Sequence, residues 1–255
     1  MQDLPYRLDR TIVINAKPAV VFAFLSESER WASWWGPGSS IEAKPGSKVY
    51  IRHPNGIETL GDVLEVKSPE LIVFTYGYAT GKPIPAGASR VTIRLAPHDS
   101  GTRLHLVHEF AEAGPRDEHI QGWRFQLSVF GNVVTNEAFA GAANTVDAWY
   151  EAWVAQDTSA REEKLAQIVS SAIRFRDRYS LLDGVEDLSA HIGASHRFMP
   201  GVGLRRHGDV RHCQGTVLAD WIATNRDGKE LMKGSSVFTL NPDGKIDSVT
   251  SFASS

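Results

Sequence analysis

The chain has 255 residues, 42% of them hydrophobic and 22% charged, with a formal net charge of −3. This is the composition of a globular protein long enough for one large domain or two modest ones, and it excludes fibrous and disordered classes. Lysine and arginine are scattered through both halves, so no basic face is offered to a nucleic acid and none is expected as a partner.

At the amino terminus, MQDLPYRLDR lacks the apolar core of a secretory signal, and the early apolar run AVVFAFL (19–25) is too short to span a bilayer. A cytoplasmic protein with no membrane partner is expected. Leu8, Arg10, Ile12 and Ile14 fall on alternate positions, which predicts a strand, and Asn15-Ala16-Lys17-Pro18 then opens a helix with proline in its first turn. That helix breaks at Ser26 and resumes through WASWWGPG (31–38), where three tryptophans precede a Gly-Pro-Gly stop. From 39 to 110 the turn signals Lys44-Pro45-Gly46, Pro54-Asn55-Gly56, Ser68-Pro69-Glu70 and Asp99-Ser100-Gly101 separate alternating apolar runs, giving six candidate strands. The exception is ATGKPIPAGA (79–88), whose glycine and proline content marks a longer, mobile loop. Ile120, Trp123, Leu127 and Val134 then form one stripe, the pattern of a long amphipathic helix laid on the sheet.

The small residues of 138–144 mark a domain junction, with domains expected at 1–140 and 141–255. Beyond it the order reverses: helices at 146–156, 160–175 and 185–194, then three long strands at 210–224, 229–240 and 245–252, joined by the hairpin turns NRDG (225–228) and NPDG (241–244). The halves share no repeat, which indicates a fusion and not a duplication. Cys213 is the single cysteine, so there is no intramolecular disulfide and no cysteine-based metal site. His191, His196, His207 and His212 form no recognised ligand spacing, since the first two are five apart, and neither a metal nor a cofactor is expected.

The fold class expected is α+β: a helix-grip domain, in which a curved antiparallel sheet is closed by a long C-terminal helix, fused to a second domain that the resemblance given below implies to be an α+β cone with a bent antiparallel sheet. Within 7–138, INAKPAVVFAFLSESERWASWWGP, GDVLEVKSPELIVFTY and DEHIQGWRFQLSVF resemble the START-related SRPBCC superfamily, and within it the AHSA-like branch named after activators of a heat-shock ATPase. That resemblance implies an apolar ligand held between the curved sheet and the long helix. Trp31 and Trp35 would then stand at the pocket mouth, with Tyr76, His108 and Trp123 as further lining, although a lone strand histidine is more often a hydrogen-bonded core residue. In the second half, VDAWYEAWVAQD, FRDRYSLLDGVEDLSAHI and ADWIATNRDGKELMKGSSVFTLNPDGKIDSVTSF are similar to the SnoaL and ketosteroid-isomerase-like cone fold.

The second resemblance implies a cavity in which Asp177 stands at the general-base position and Tyr150 at that of the oxyanion donor. A carboxylate moved into apolar surroundings loses hydration, so its pKa rises toward values useful for proton abstraction. Ser236 occupies the position where the isomerases carry a second, protonated acid, a departure that speaks against a steroid isomerase. Arg176 and Arg178 flank Asp177 and would blunt it if they faced the same way. Trp153 and Trp221 would line the same cone. The leading expectation is a protein that binds small hydrophobic or aromatic metabolites in cavities of both domains. The alternative is a polyketide-cyclase or isomerase-type enzyme using Asp177, and a co-chaperone-like interaction protein ranks last. A homodimer through the C-terminal domain is also expected, because the exposed face of a cone sheet commonly needs covering.

Overall fold

The computed structural model describes residues 3–254. The chain divides into two compact units, one up to Thr135 and the other from Asn136.

The first unit runs β1 (Tyr6–Ile14), α1 (Pro18–Ser26), α2 (Ser28–Trp35), β2 (Ser40–Ile41), β3 (Lys48–Arg52), β4 (Glu58–Lys67), β5 (Leu71–Tyr76), β6 (Ser89–His98) and β7 (Gly101–Phe110), closed by α3 (Ala113–Ala138). Its strands form a seven-stranded sheet in the order β1-β7-β6-β5-β4-β3-β2 with antiparallel neighbours. Alternation sets the inner face: Val91, Ile93 and Leu95 of β6 are buried while the residues between them are partly or fully exposed. Trp123, Leu127, Phe130 and Val134 of α3 recur at helical spacing and join the same buried cluster as Phe74, Ile93 and Leu106, so the helix lies on the sheet. This is the helix-grip arrangement.

Trp31, Trp34 and Trp35 share one face of α2 because they stand three and four residues apart. The helix stops at Gly36, where φ is 148° and an added Cβ would fall 2.4 Å from the Arg52 carbonyl oxygen, so only glycine fits. The segment 79–88 crosses back beside β4 and carries an isolated bridge between Tyr78 and Pro85.

The second unit runs α4 (Ala142–Val154), α5 (Thr158–Ile168), β8 (Val169–Arg176), β9 (Leu181–Asp183), α6 (Val185–Phe198), β10 (Gly203–Cys213), β11 (Thr216–Thr224), β12 (Glu230–Leu240) and β13 (Ile246–Ala253). Its six strands are ordered β10-β11-β12-β13-β8-β9. The pair β13–β8 is parallel, so the cone's sheet is not antiparallel throughout. Two expectations about element boundaries are corrected here. The helix expected over 160–175 ends at Ile168, and Val169, Ile173 and Phe175 turn their side chains inward from a strand. The strand expected over 210–224 is a hairpin, because Gln214 (φ 48°) and Gly215 (φ 86°) fold the chain back with β10 paired to β11. Among the described residues no helix is long and apolar enough to cross a membrane.

Candidate functional site

The second unit encloses a cavity of about 400 Å³, within the size range of small-molecule sites. Helix α4 supplies Trp149, Tyr150 and Trp153, the sheet supplies Phe175, Trp221, Ala223, Ser236 and Ser251, and the end of α6 supplies His196 and Phe198. Trp221 lies across the next strand because its register partner is Gly234, where an added Cβ would come within 2.5 Å of the indole. Tyr179 and Phe198 form an exposed rim, 86% and 84% accessible.

Two polar atoms in this lining, Trp153 Nε1 and Trp221 Nε1, are buried without a hydrogen-bond partner among the described residues, while Tyr150 Oη has the Ser236 hydroxyl beside it. Each such group costs about 1–3 kcal/mol unless something inside the cavity receives it. Burial pushes the Tyr150 phenol up to about 12, partly offset by the neighbouring Ser236 hydroxyl, so the phenol keeps its proton at neutral pH. Ser236 Oγ itself pairs with Ser251 Oγ at 2.9 Å.

Asp177 also lines the cavity, from the turn between β8 and β9. Its Oδ1 accepts the Tyr179 N–H at 2.8 Å and its own N–H donates to the Ser180 carbonyl at 3.1 Å, an Asx-type turn. Neither flanking arginine forms an ion pair with it among the described residues. Arg176 reaches Asp183 at 4.0 Å, and Arg178 lies over the Tyr179 ring at 5.5 Å. His196 donates from Nε2 to the Trp153 carbonyl at 2.8 Å, and His191 Nε2 stands 3.3 Å from Ser180 Oγ. His212 Nε2 accepts the Gly215 N–H at 2.9 Å, and His207 is exposed. No group of three or more His, Cys, Asp or Glu placed to hold a metal occurs among the described residues.

The five residues expected to line a pocket in the first unit are all buried and pack on one another and on their neighbours. Trp31 is fully buried against Trp34 at 5.0 Å and Phe74 at 5.7 Å between ring centroids. Trp35 packs on Trp123 and on His53, each at 5.6 Å. His108 is saturated: Trp123 Nε1–H donates to its Nδ1 at 3.0 Å, which places the imidazole proton on Nε2, and that proton is given to Ser89 Oγ at 2.8 Å. Ser89 in turn donates to the Tyr76 carbonyl at 2.8 Å. His108 is therefore a hydrogen-bonded core residue. Tyr76 stacks edge-on against His108 at 5.3 Å.

Four neighbours of this cluster are not signalled by the sequence pattern. His119 donates from Nδ1 to the Pro115 carbonyl at 2.7 Å and accepts the Tyr78 hydroxyl at Nε2, 3.3 Å away. His53 and Thr59 complete the group, Thr59 beside the Tyr76 hydroxyl. Burial lowers the pKa of His53, of His119 and, most strongly, of His108. In the second unit, Trp149 and Phe175 join the lining without having been expected there. The signal for Trp149 was its place one turn before Trp153 on the same helix.

Residues 15–134 match the family model of activator of Hsp90 ATPase homolog 1-like proteins. Among solved structures, a SnoaL-like family protein from Agrobacterium tumefaciens is 24% identical, with 47% of this chain and 99% of that one covered at a TM-score of 0.43. A protein from Mesorhizobium loti is 18% identical over 52% of this chain and 98% of that one, at 0.47. The Aha1 dimer from Colwellia psychrerythraea is 16% identical over 48% and 90%, at 0.42. No curated protein matches the chain.

Proposed function

We propose that the second unit is a receptor for a small apolar molecule, held in the cavity between α4, α6 and the sheet. The observation that carries this reading is the cavity itself: about 400 Å³ walled chiefly by aromatic and aliphatic side chains. Apolar surface of that kind is covered favourably by an apolar guest, at roughly 25 cal/mol for each Å² removed from water. The exposed rim residues Tyr179 and Phe198 extend the apolar surface outward along the entrance.

The test is titration with the neutral dye N-phenyl-1-naphthylamine, read by its fluorescence gain and by quenching of the cavity tryptophans. Saturable binding of one dye per chain is expected. A linear, unsaturable signal would remove the reading.

A second reading adds chemistry to the same cavity. Asp177 and Tyr150 both line it, one carboxylate oxygen being held by the Tyr179 N–H and the phenol keeping its proton. A base and a donor facing one space are what proton abstraction beside a carbonyl requires, as in cyclase or isomerase-type reactions.

A further inference from the structure

The outer face of the second unit's sheet, turned away from the cavity, gathers positive charge from distant parts of the chain. Val217, Ala219, Trp221 and Ala223 of β11 are buried toward the interior, so Leu218, Asp220 and Ile222 point outward, and the register carries that parity across the sheet. Arg205 and Arg211 of β10 stand opposite Ile222 and Leu218, and Lys233 of β12 is the partner of Ile222 on its other side. Arg174 and Arg176 of β8 stand opposite Ser248 and Thr250 of β13. All five cations are exposed. The carboxylates held in register on this face are Asp220, 3.3 Å from Arg211, and Asp183, 4.0 Å from Arg176. Arg174, Arg205 and Lys233 form no ion pair among the described residues. Spacing along the chain does not show this patch, because the pairing of β13 with β8 is what brings residues 174 and 176 onto the face of residues 205–233.

An uncharged strip runs between the two cationic margins. Leu218, Val237 and Thr250 form one row from Arg211 to Arg176, about 19 Å across at four strand spacings. Phe252 and Leu181 belong to the same face and are 58% and 67% exposed. Arginine interleaved with exposed apolar side chains is the composition of a protein-binding surface. A nucleic acid fits less well, since the face offers a single ring for base stacking and Asp220 and Asp183 would repel phosphates. A second copy laid face to face would set one net-positive surface against another, which is unfavourable.

We infer that this face docks an acidic protein segment that also carries apolar side chains. Its carboxylates are received by the arginine margins, and its apolar groups by Phe252, Leu181 and the strip between. The inference stands independently of the cavity and its guest.

Fluorescence anisotropy tests it, with the full chain titrated into a fluorescein-labelled peptide of two repeats of Glu-Glu-Phe-Glu-Glu-Leu. Saturable binding is expected at 50 mM salt and at least tenfold weaker binding at 200 mM, because exposed charges are screened. The counterpart with lysine in place of every glutamate should not bind. Arg176→Glu with Arg211→Glu, and the milder pair Arg176→Gln with Arg211→Gln, should each weaken binding at least tenfold while the unfolding midpoint stays that of the unaltered chain. Phe252→Ser should weaken it at least threefold. No saturable binding of the acidic peptide, equal binding of the two peptides, or an affinity untouched by salt and by both arginine pairs would overturn the inference. Tighter binding of a 20-base-pair DNA duplex than of the acidic peptide would also overturn it. So would concentration-dependent self-association in sedimentation that the arginine pairs abolish, which would assign the face to a second copy.

Discussion

Filling the cavity from within should trade ligand binding for stability. Ala223 is buried on β11, two residues from Trp221, and its methyl group lines the cavity. Ala223→Leu adds three carbon atoms to that space, and at about 0.8 kcal/mol for each buried methylene the gain has a ceiling of about 2.4 kcal/mol. Ordering the leucine side chain takes back about 0.5–1 kcal/mol, leaving a net gain of about 1.5 kcal/mol. For a unit of this size, about 4 °C of Tm accompanies each kcal/mol, so the transition of the second unit should rise by about 6 °C. Differential scanning calorimetry without ligand measures this, and the N-phenyl-1-naphthylamine titration should show affinity reduced at least tenfold in the same variant. A lowered Tm together with unchanged dye binding would mean that Ala223 faces a packed interior, where added atoms cause strain. The reasoning from an unfilled hollow would then fail.

Two further outcomes concern the remaining ionisable groups. His53, His108 and His119 have folded-state pKa values below that of an unfolded histidine, so the unfolded chain binds protons first as pH falls. Their contribution to stability is complete above about pH 6.5 and is lost progressively below it. The fully buried His108 gives up about 1.4 kcal/mol for every step of one in pH, until the pH reaches its folded-state pKa, and the more exposed His53 contributes less. Glu118 beside His119 works the other way on that residue alone. Hydrogen exchange by mass spectrometry at pH 7.5, 6.5 and 5.5, corrected for intrinsic rates, should show β5 and β7 losing protection in that window. Equal stability across it would contradict the burial of neutral imidazoles. Asp177→Asn is expected to leave dye binding within twofold and to abolish deuterium exchange beside the carbonyl of bound 2-tetralone followed by NMR. Exchange that persists would confine Asp177 to its turn.

The periodicity of the sequence reveals the sheets and the long helices wherever one face alone is buried. It misleads at 160–175 for a definite reason. Leu165, Val169 and Ile173 are four apart, a spacing that fits one helical face, yet Val169, Ile173 and Phe175 also share the parity of a strand. Tertiary pairing with β13 decides between them, and pairing is not written in local spacing. The turn at Gln214-Gly215 was legible in principle, as a short polar-glycine step between apolar runs, but the surrounding alternation continues through it. Side-chain destinations are less legible still. Trp31 and Trp35 stand on the inner face of their helix, as the spacing requires, but whether that face meets a hollow or other rings depends on Phe74, Trp123 and His53, which come from three different elements or loops. The same dependence hid His119 and Tyr78, 41 residues apart and in contact.

The line from Trp123 through His108 and Ser89 to Tyr76 begins at an atom that can only give a hydrogen and ends at one that can only take it. Covalent chemistry at the two extremities thus fixes the sense of every link between them, and the imidazole has a single admissible orientation and tautomer. An incoming proton would have to land on the nitrogen already facing the indole, expelling that ring from its seat. The sheet and the long helix are in this way joined by a one-way polarity that neither element possesses alone.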